Sequence, residues 1–254
     1  TEQILLFIVI LGANFLSALA GGGAGLLQLP ALIFLGLPFT TALATHKIAT
    51  VTLGLGASIK HLRAGSVDIK FAGFILLAGL PGVLLGAVSA VHLPETFSKA
   101  SLGLLTLSLG IYSWCKKDLG QQEFHSNRHR NGLLIGAAVI FIIGILNGAL
   151  ASGTGLFVTL WLIRWFGLDY KKAVAYTMVL VGLFWNGSGA LAVNLLTPPQ
   201  WNWLPILIVG SILGGYAGTH IAIAKGNRFI KTAFEILTLL CGVWLLVNAW
   251  QTSN

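Results

Sequence analysis

The sequence predicts an all-α polytopic membrane protein built from two inverted-topology repeats, each a broken or re-entrant hairpin followed by three transmembrane helices. Three observations carry that prediction. The residues are 56% hydrophobic and only 9% charged, whereas a soluble domain uses about 25% charged residues to cover its surface. Long apolar segments recur along the chain and are interrupted at two places by runs of small residues. The segments that follow the first interruption are repeated, in order, after the second.

The supporting composition points the same way. There are 32 glycines and eight tryptophans; glycine lets membrane helices approach closely and tryptophan anchors at the bilayer interface. The formal charge of +8 comes from 15 Lys and Arg against seven Asp and Glu. These bases sit in short segments between apolar stretches, as topology determinants do. They form no basic face with interleaved readers, so no nucleic-acid partner is expected. Cys115 and Cys241 have no CxxC spacing and indicate neither a redox pair nor a thiolate metal site. The opening TEQILLFIVILGANFLSALA lacks a basic n-region, which argues against an intact secretory signal.

In chain order, apolar segments cover residues 3–20, 24–36, 41–60, 69–91 and 97–115, then a polar stretch covers 116–130. The pattern resumes at 132–151, 154–166, 173–196, 203–224 and 229–250. A helix needs about 20 residues to span the hydrocarbon, and 24–36 and 154–166 fall short of this. Each follows a break, AGGGAG at 20–25 and ASGTG at 151–155. Backbone groups exposed at such a break must be satisfied by protein, water or ligand rather than lipid. Each pair of segments therefore reads as a hairpin dipping into the membrane. The expected organisation is a first membrane repeat at 1–115, a cytoplasmic linker at 116–131 and a second membrane repeat at 132–254.

The halves match in residue detail. Gly36-Leu37 corresponds to Gly167-Leu168, ALAT at 42–45 to AVAY at 173–176, and GVLLG at 82–86 to GGYAG at 214–218. FSKASLGLLTLSLG from Phe97 corresponds to FIKTAFEILTLLCG from Phe229. Every offset is 131 or 132 residues, and four matches in order indicate duplication.

Basic residues set the expected orientation. Lys60, His61, Arg63 and Lys70 flank one connection, and Lys116, Lys117, Arg128 and Arg130 flank the centre. Arg164, Lys171 and Lys172 flank another, and Lys225, Arg228 and Lys231 the last. The opposite connections carry almost no bases, Lys99 being the exception. With basic connections inside, both termini lie outside and the halves have opposite orientation, a common plan for secondary transporters. The expected location is the cell membrane, multi-pass, in a bacterial inner membrane.

The stretch AGGGAGLLQLPALIFLGLP at 20–38, followed by ALATHKIAT at 42–50, and the weaker repeat NGALASGTG from Asn147 resemble the TauE/SafE, or sulfite exporter, family of membrane permeases. The resemblance covers essentially the whole chain. It implies transport of sulfite, organosulfonates or related sulfur-containing anions, with export slightly favoured. The chain departs from the family pattern at His46, where relatives often carry an amide in an ATNK run.

The residues themselves suggest where a substrate would bind. A broken helix exposes N–H groups and the positive end of a half-helix, which attracts an anion. Gly21, Gly22, Gly23 and Gly25 from the first half, and Ser152, Gly153 and Thr154 with Gly155 from the second, are the candidates; plain tight packing is the competing explanation. Lys47 lies inside an apolar segment beside His46, where charge is expensive unless paired, hydrated or snorkelled. It serves either as an anion attractor or as a structural donor, and its counterpart in the second half is Met178. His46 serves as anion donor, proton relay or partner of a buried carbonyl. Thr45 and Thr50 offer hydroxyls beside this pair.

Asn14 and Asn147 precede the breaks in similar contexts, bonding across the hairpin or facing substrate. Thr177, Asn186 and Asn194 punctuate the helix after the second hairpin, and one of them is expected to line a polar path, with Thr177 counted among the substrate-binding candidates. His220 and Glu235 are ionisable groups in apolar segments, open to pairing with each other, to ion coupling or to interface placement. His125 and His129 lack further ligands for a metal.

The functional expectation is a secondary transporter moving a small anion by alternating access, with a proton or sodium ion as coupling partner and no cofactor or metal. An anion channel is the alternative. A membrane enzyme is the weaker one, because the chain has no HExxH, GxSxG or P-loop.

Overall fold

A computed structural model describes residues 2–64, 67–89, 95–150 and 153–253. They form α1 (Glu2–Ala20), α2 (Ala24–Phe34), α3 (Phe39–Arg63), α4 (Ile69–Ser89), α5 (Glu95–Cys115), α6 (Arg130–Leu150), α7 (Thr154–Phe166) and α8 (Tyr170–Tyr176). A π-helical stretch, π1 (Thr177–Trp185), continues α8 directly and is followed by α9 (Asn186–Asn194), α10 (Leu204–Lys225) and α11 (Asn227–Ser253). No strand occurs among the described residues. Six spans among them are long and apolar enough to cross a membrane.

The outer surface matches that solvent. Leu77, Leu240 and Trp250 are 79%, 67% and 71% exposed, which water would penalise and acyl chains accept. The short helices α2 and α7, at 11 and 13 residues, reach roughly 16 and 20 Å at about 1.5 Å per residue. Neither bridges a hydrocarbon layer of about 30 Å. Beyond them stand Gly36 and Gly167, the matched glycines, with left-handed φ of 97° and 71°. That conformation ends a helix readily only at glycine.

Helices from the two halves pack in exchanged pairs. α1 lies along α10 as α4 lies along α6, and α5 lies along α11. Glycines that match between the two halves in sequence make these approaches. A Cβ on Gly82 or Gly86 would sit 2.2 or 2.0 Å from the carbonyl oxygens of Phe141 and Ile145; one on Gly214 or Gly218 would sit 2.6 or 2.4 Å from those of Leu11 and Phe15. Backbone contact of this kind stabilises helix pairs in lipid, where apolar burial between helices gives little.

The segment expected as one uninterrupted helix over 173–196 is not uniform. Its centre widens to the π form, a rare geometry concentrated at functional sites. Trp185 closes the stretch, fully buried over Gly79, where any side chain would overlap its indole. Residues 116–129, between α5 and α6, dock tightly. The Phe124 N–H donates to Gly167 O (2.8 Å), and Ser126 Oγ and Asn127 Nδ2 both donate to Trp165 O (2.6 and 2.8 Å). The docked chain thereby satisfies carbonyls at the end of α7 that the helix leaves orphaned.

Glu235 and His220 do not pair. Glu235 is bonded to Lys231 one turn earlier and accepts from Ser113 Oγ at 2.8 Å, while His220 is exposed. Lys231 also donates to Ser113 O at 2.7 Å, and the Ser113 and Tyr170 hydroxyls are 2.8 Å apart. This network ties α5, α8 and α11 together near the ends of the helices.

Candidate functional site

The two glycine breaks meet inside the bundle. At the first, Gly21, Gly22 and Gly23 take φ of 81°, 138° and 92° in succession, so the chain reverses within three residues and α2 starts facing inward. At the second, Gly153 takes φ 75°. Glycine populates these regions without the Cβ penalty. The tips then touch through main chain: a Cβ on Gly22 would fall 2.7 Å from both the carbonyl carbon of Gly155 and the amide nitrogen of Leu156.

Hydroxyls and amides lock the contact. Thr159 Oγ1 donates to Gly21 O at 2.7 Å and lies 2.8 Å from Thr177 Oγ1. Thr177 donates to Ala173 O at 2.9 Å. Asn147 Nδ2 donates to Thr154 Oγ1 at 2.8 Å and reaches Asn186 Oδ1 at 3.4 Å. Break one is therefore tied to α7 and π1, and break two to α6 and α9.

Beside the tips is a small cavity of about 30 Å³, room for one or two water molecules. Gly22, Gly23, Gly25, Gly153, Thr154 and Gly155 line it from the tips; Ser17, Thr50, Asn147, Thr177 and Asn186 supply its polar walls. Ser17 Oγ is buried with no hydrogen-bond partner, an open polar group in a chamber of this kind. The first turns of α2 and α7 have no side-chain cap at their glycine N-caps. Their leading N–H groups and the positive helix ends favour negative charge here. The widened turn of π1 brings Thr177, Met178, Val181 and Gly182 to the same wall.

The other predicted residues stand elsewhere. Lys47 is fully buried but lies behind the wall, its ammonium donating to Asn147 O at 3.1 Å. Gly189 makes room for it, since a Cβ there would be 2.8 Å from the Lys47 nitrogen. His46 is fully buried and does not line the cavity. Thr45 donates to Thr41 O at 2.6 Å and accepts from the Gln200 N–H at 2.8 Å, which binds α3 to the connection before α10. Asn14 bonds Ile10 O and Ser211 Oγ, pinning α1 to α10. Gly21 is outside the lining and contributes through its carbonyl. Ser152 lies outside the described residues.

Ser17 and Thr159 went unnoticed in the sequence. Ser17 precedes the first break by one turn, a position that a helical projection toward the glycines would have flagged. Thr159 lies in the apolar run of α7, and its partners are 138 and 18 residues distant, so no local pattern announces it.

Comparison with known proteins adds the class. The model of the family described as sulfite exporter TauE/SafE matches residues 6–245. A Sinorhizobium protein, "Probable membrane transporter protein ORF9", is 29% identical over 244 residues, covering 96% of this chain and 92% of its own. A Haemophilus influenzae "Probable membrane transporter protein" is 30% identical over 237 residues, covering 93% and 91%. The Escherichia coli K12 protein "Probable membrane transporter protein YfcA" is 26% identical over 245 residues, covering 96% and 90%. No solved structure gives a significant match.

Proposed function

The chain belongs to the TauE/SafE sulfite exporter family of membrane transporters, and from that premise we propose that it is a secondary permease carrying a small anion, sulfite or an organosulfonate, by alternating access. The observation that supports the reading best is the meeting of two uncapped helix starts at one polar cavity. An anion entering it exchanges water for main-chain N–H groups and the hydroxyls of Ser17, Thr154 and Thr177. Main-chain donors suit oxyanions because their positions are fixed and carry no protonation state.

Lys47 acts in this proposal through Asn147. Its ammonium polarises the Asn147 carbonyl from behind and adds a buried positive charge near the cavity without contacting the substrate. The exchanged pairing of α1 with α10 and α4 with α6 supports two repeats of opposite orientation, whose rocking would open the cavity to one side and then the other. The basic connections support termini on the outer face and a cytoplasmic segment at 116–131.

Flux of radiolabelled sulfite and methanesulfonate into vesicles containing the purified protein, with proton and sodium gradients imposed separately, tests this. Saturable uptake with counterflow is expected. Channel-like conductance without counterflow would replace the carrier by a pore, and absence of anion flux under every gradient would end the reading.

A further inference from the structure

A second polar cavity, about 460 Å³ in volume, lies where Val67 and Asp68, the docked 116–129 segment and α8 come together. Asp68, Glu123, His125, Arg128, Lys172 and Tyr176 line it. Its charges are unevenly used. Glu123 is held by Lys172, and an Asp68 carboxylate oxygen accepts the Lys70 N–H at 2.9 Å. Among the described residues Arg128 makes no ion pair and no hydrogen bond, and its Nε is shut away from solvent without a partner. The guanidinium is held by rings instead, 3.6 Å from the centre of Phe71 and 5.5 Å from that of Phe166.

Tyr176 supplies a second donor. Its hydroxyl accepts the Asp68 N–H at 2.8 Å, which leaves its own proton available for another acceptor. The cavity thus offers a permanent planar cation and a phenolic proton in want of oxygen atoms, the complement of a small oxyanion. The Asp68 and Glu123 carboxylates, both of which act on the Arg128 charge, keep such a site weak, as a place of brief residence needs. Tyr176 is followed directly by Thr177, which faces the central cavity.

We propose that this cavity is a second anion-binding site, a staging vestibule in which Arg128 and Tyr176 take a small oxyanion on the helix that leads to the central chamber. The identity of the anion rests on the transport reading; the donor geometry does not.

The probe is sulfite, with the full chain in lipid nanodiscs for equilibrium binding and in oriented vesicles for flux from each face. Arg128→Gln is expected to abolish one of two classes of bound sulfite and to raise KM about tenfold from the vestibule face, with KM from the other face unchanged. Arg128→Lys keeps the charge and retains most of the affinity. Because Arg128 also packs on two rings, Tyr176→Phe decides the matter should Arg128→Gln fail to fold: it keeps the ring and removes the proton, and a several-fold rise in KM confined to the same face is expected. Wild-type transport with binding and KM unchanged in well-inserted Tyr176→Phe and Arg128→Gln protein, or shifted equally from both faces, overturns the vestibule and leaves the permease reading standing. Sulfite binding that falls in the variants of a protein carrying no sulfite keeps the vestibule and removes the permease reading.

Discussion

The first break is bare main chain, whereas the second is furnished with side-chain donors. Residues 21–23 turn through three left-handed glycines and offer only their backbone, while Gly153 is followed by Thr154, bonded to Asn147, and Thr159 lies two turns on. α3 and its counterpart divide in the same way: α3 is regular and carries Lys47, and the counterpart is widened to π1 and carries Met178. The two halves thus share a similar backbone path and differ in their polar chemistry. Path is fixed by glycine and close packing, which tolerate little, and chemistry by single polar side chains, which can be exchanged one at a time.

Gly22→Leu attacks the shared path and should do most harm. Left-handed backbone costs about 1–3 kcal/mol for a non-glycine residue, and overpacking against unyielding main chain adds about 1–3 kcal/mol. Loss of both insertion and flux is expected, read from membrane yield and vesicle uptake. Gly153→Ala is the contrast. It shares the left-handed penalty, at φ 75°, but its Cβ meets the end of the Leu26 side chain at 2.8 Å rather than main chain, so the protein should insert and retain partial flux. Equal damage by the two would show that the tips are not distinguished by what they touch.

Lys47→Met copies the second half's residue into the first and tests whether the halves need different chemistry. A hydrogen bond to a charged group is worth about 1.5–3 kcal/mol, roughly a 10–100-fold change in kcat/KM if the ammonium orders the Asn147 wall during transport. Full flux in correctly inserted Lys47→Met protein would reduce the asymmetry to a packing detail. Thr159→Val removes the tie between the first break and π1 and should cost about 1–3 kcal/mol of stability, seen as a lower Tm in detergent with a smaller change in KM. Thr45→Val leaves the Gln200 N–H without its acceptor, outside the cavity. A cost of about 1 kcal/mol with KM unchanged is expected, and a raised KM would move the site toward Thr45.

Much of the path was legible because glycine leaves a mark in sequence. The breaks, the half-length helices, the end glycines Gly36 and Gly167, and the packing pairs Gly82/Gly86 and Gly214/Gly218 all fall on residues that match between the halves in sequence, and the chain turns or packs at each. π1 was not read, because the apolar run TMVLVGLFW at 177–185 reads as ordinary helix. The docking of 116–129 was also missed, because its partners are carbonyls of α7, and carbonyls have no sequence signature. Lys47 drew attention as a charge in an apolar run. Its position behind the Asn147 wall depends on Gly189, on another helix, and no periodicity of α3 encodes that.

Where Gly22 rests on Gly155, the chamber has a floor without side chains. Such a surface cannot be retuned by exchanging one amino acid for another, since any replacement for Gly22 intrudes on the opposing backbone. If this chamber is the proposed substrate site, a change of cargo would have to come from positions such as Ser17, Thr50, Asn147, Thr177 and Asn186, and relatives with different preferences should differ at the walls while agreeing at the base.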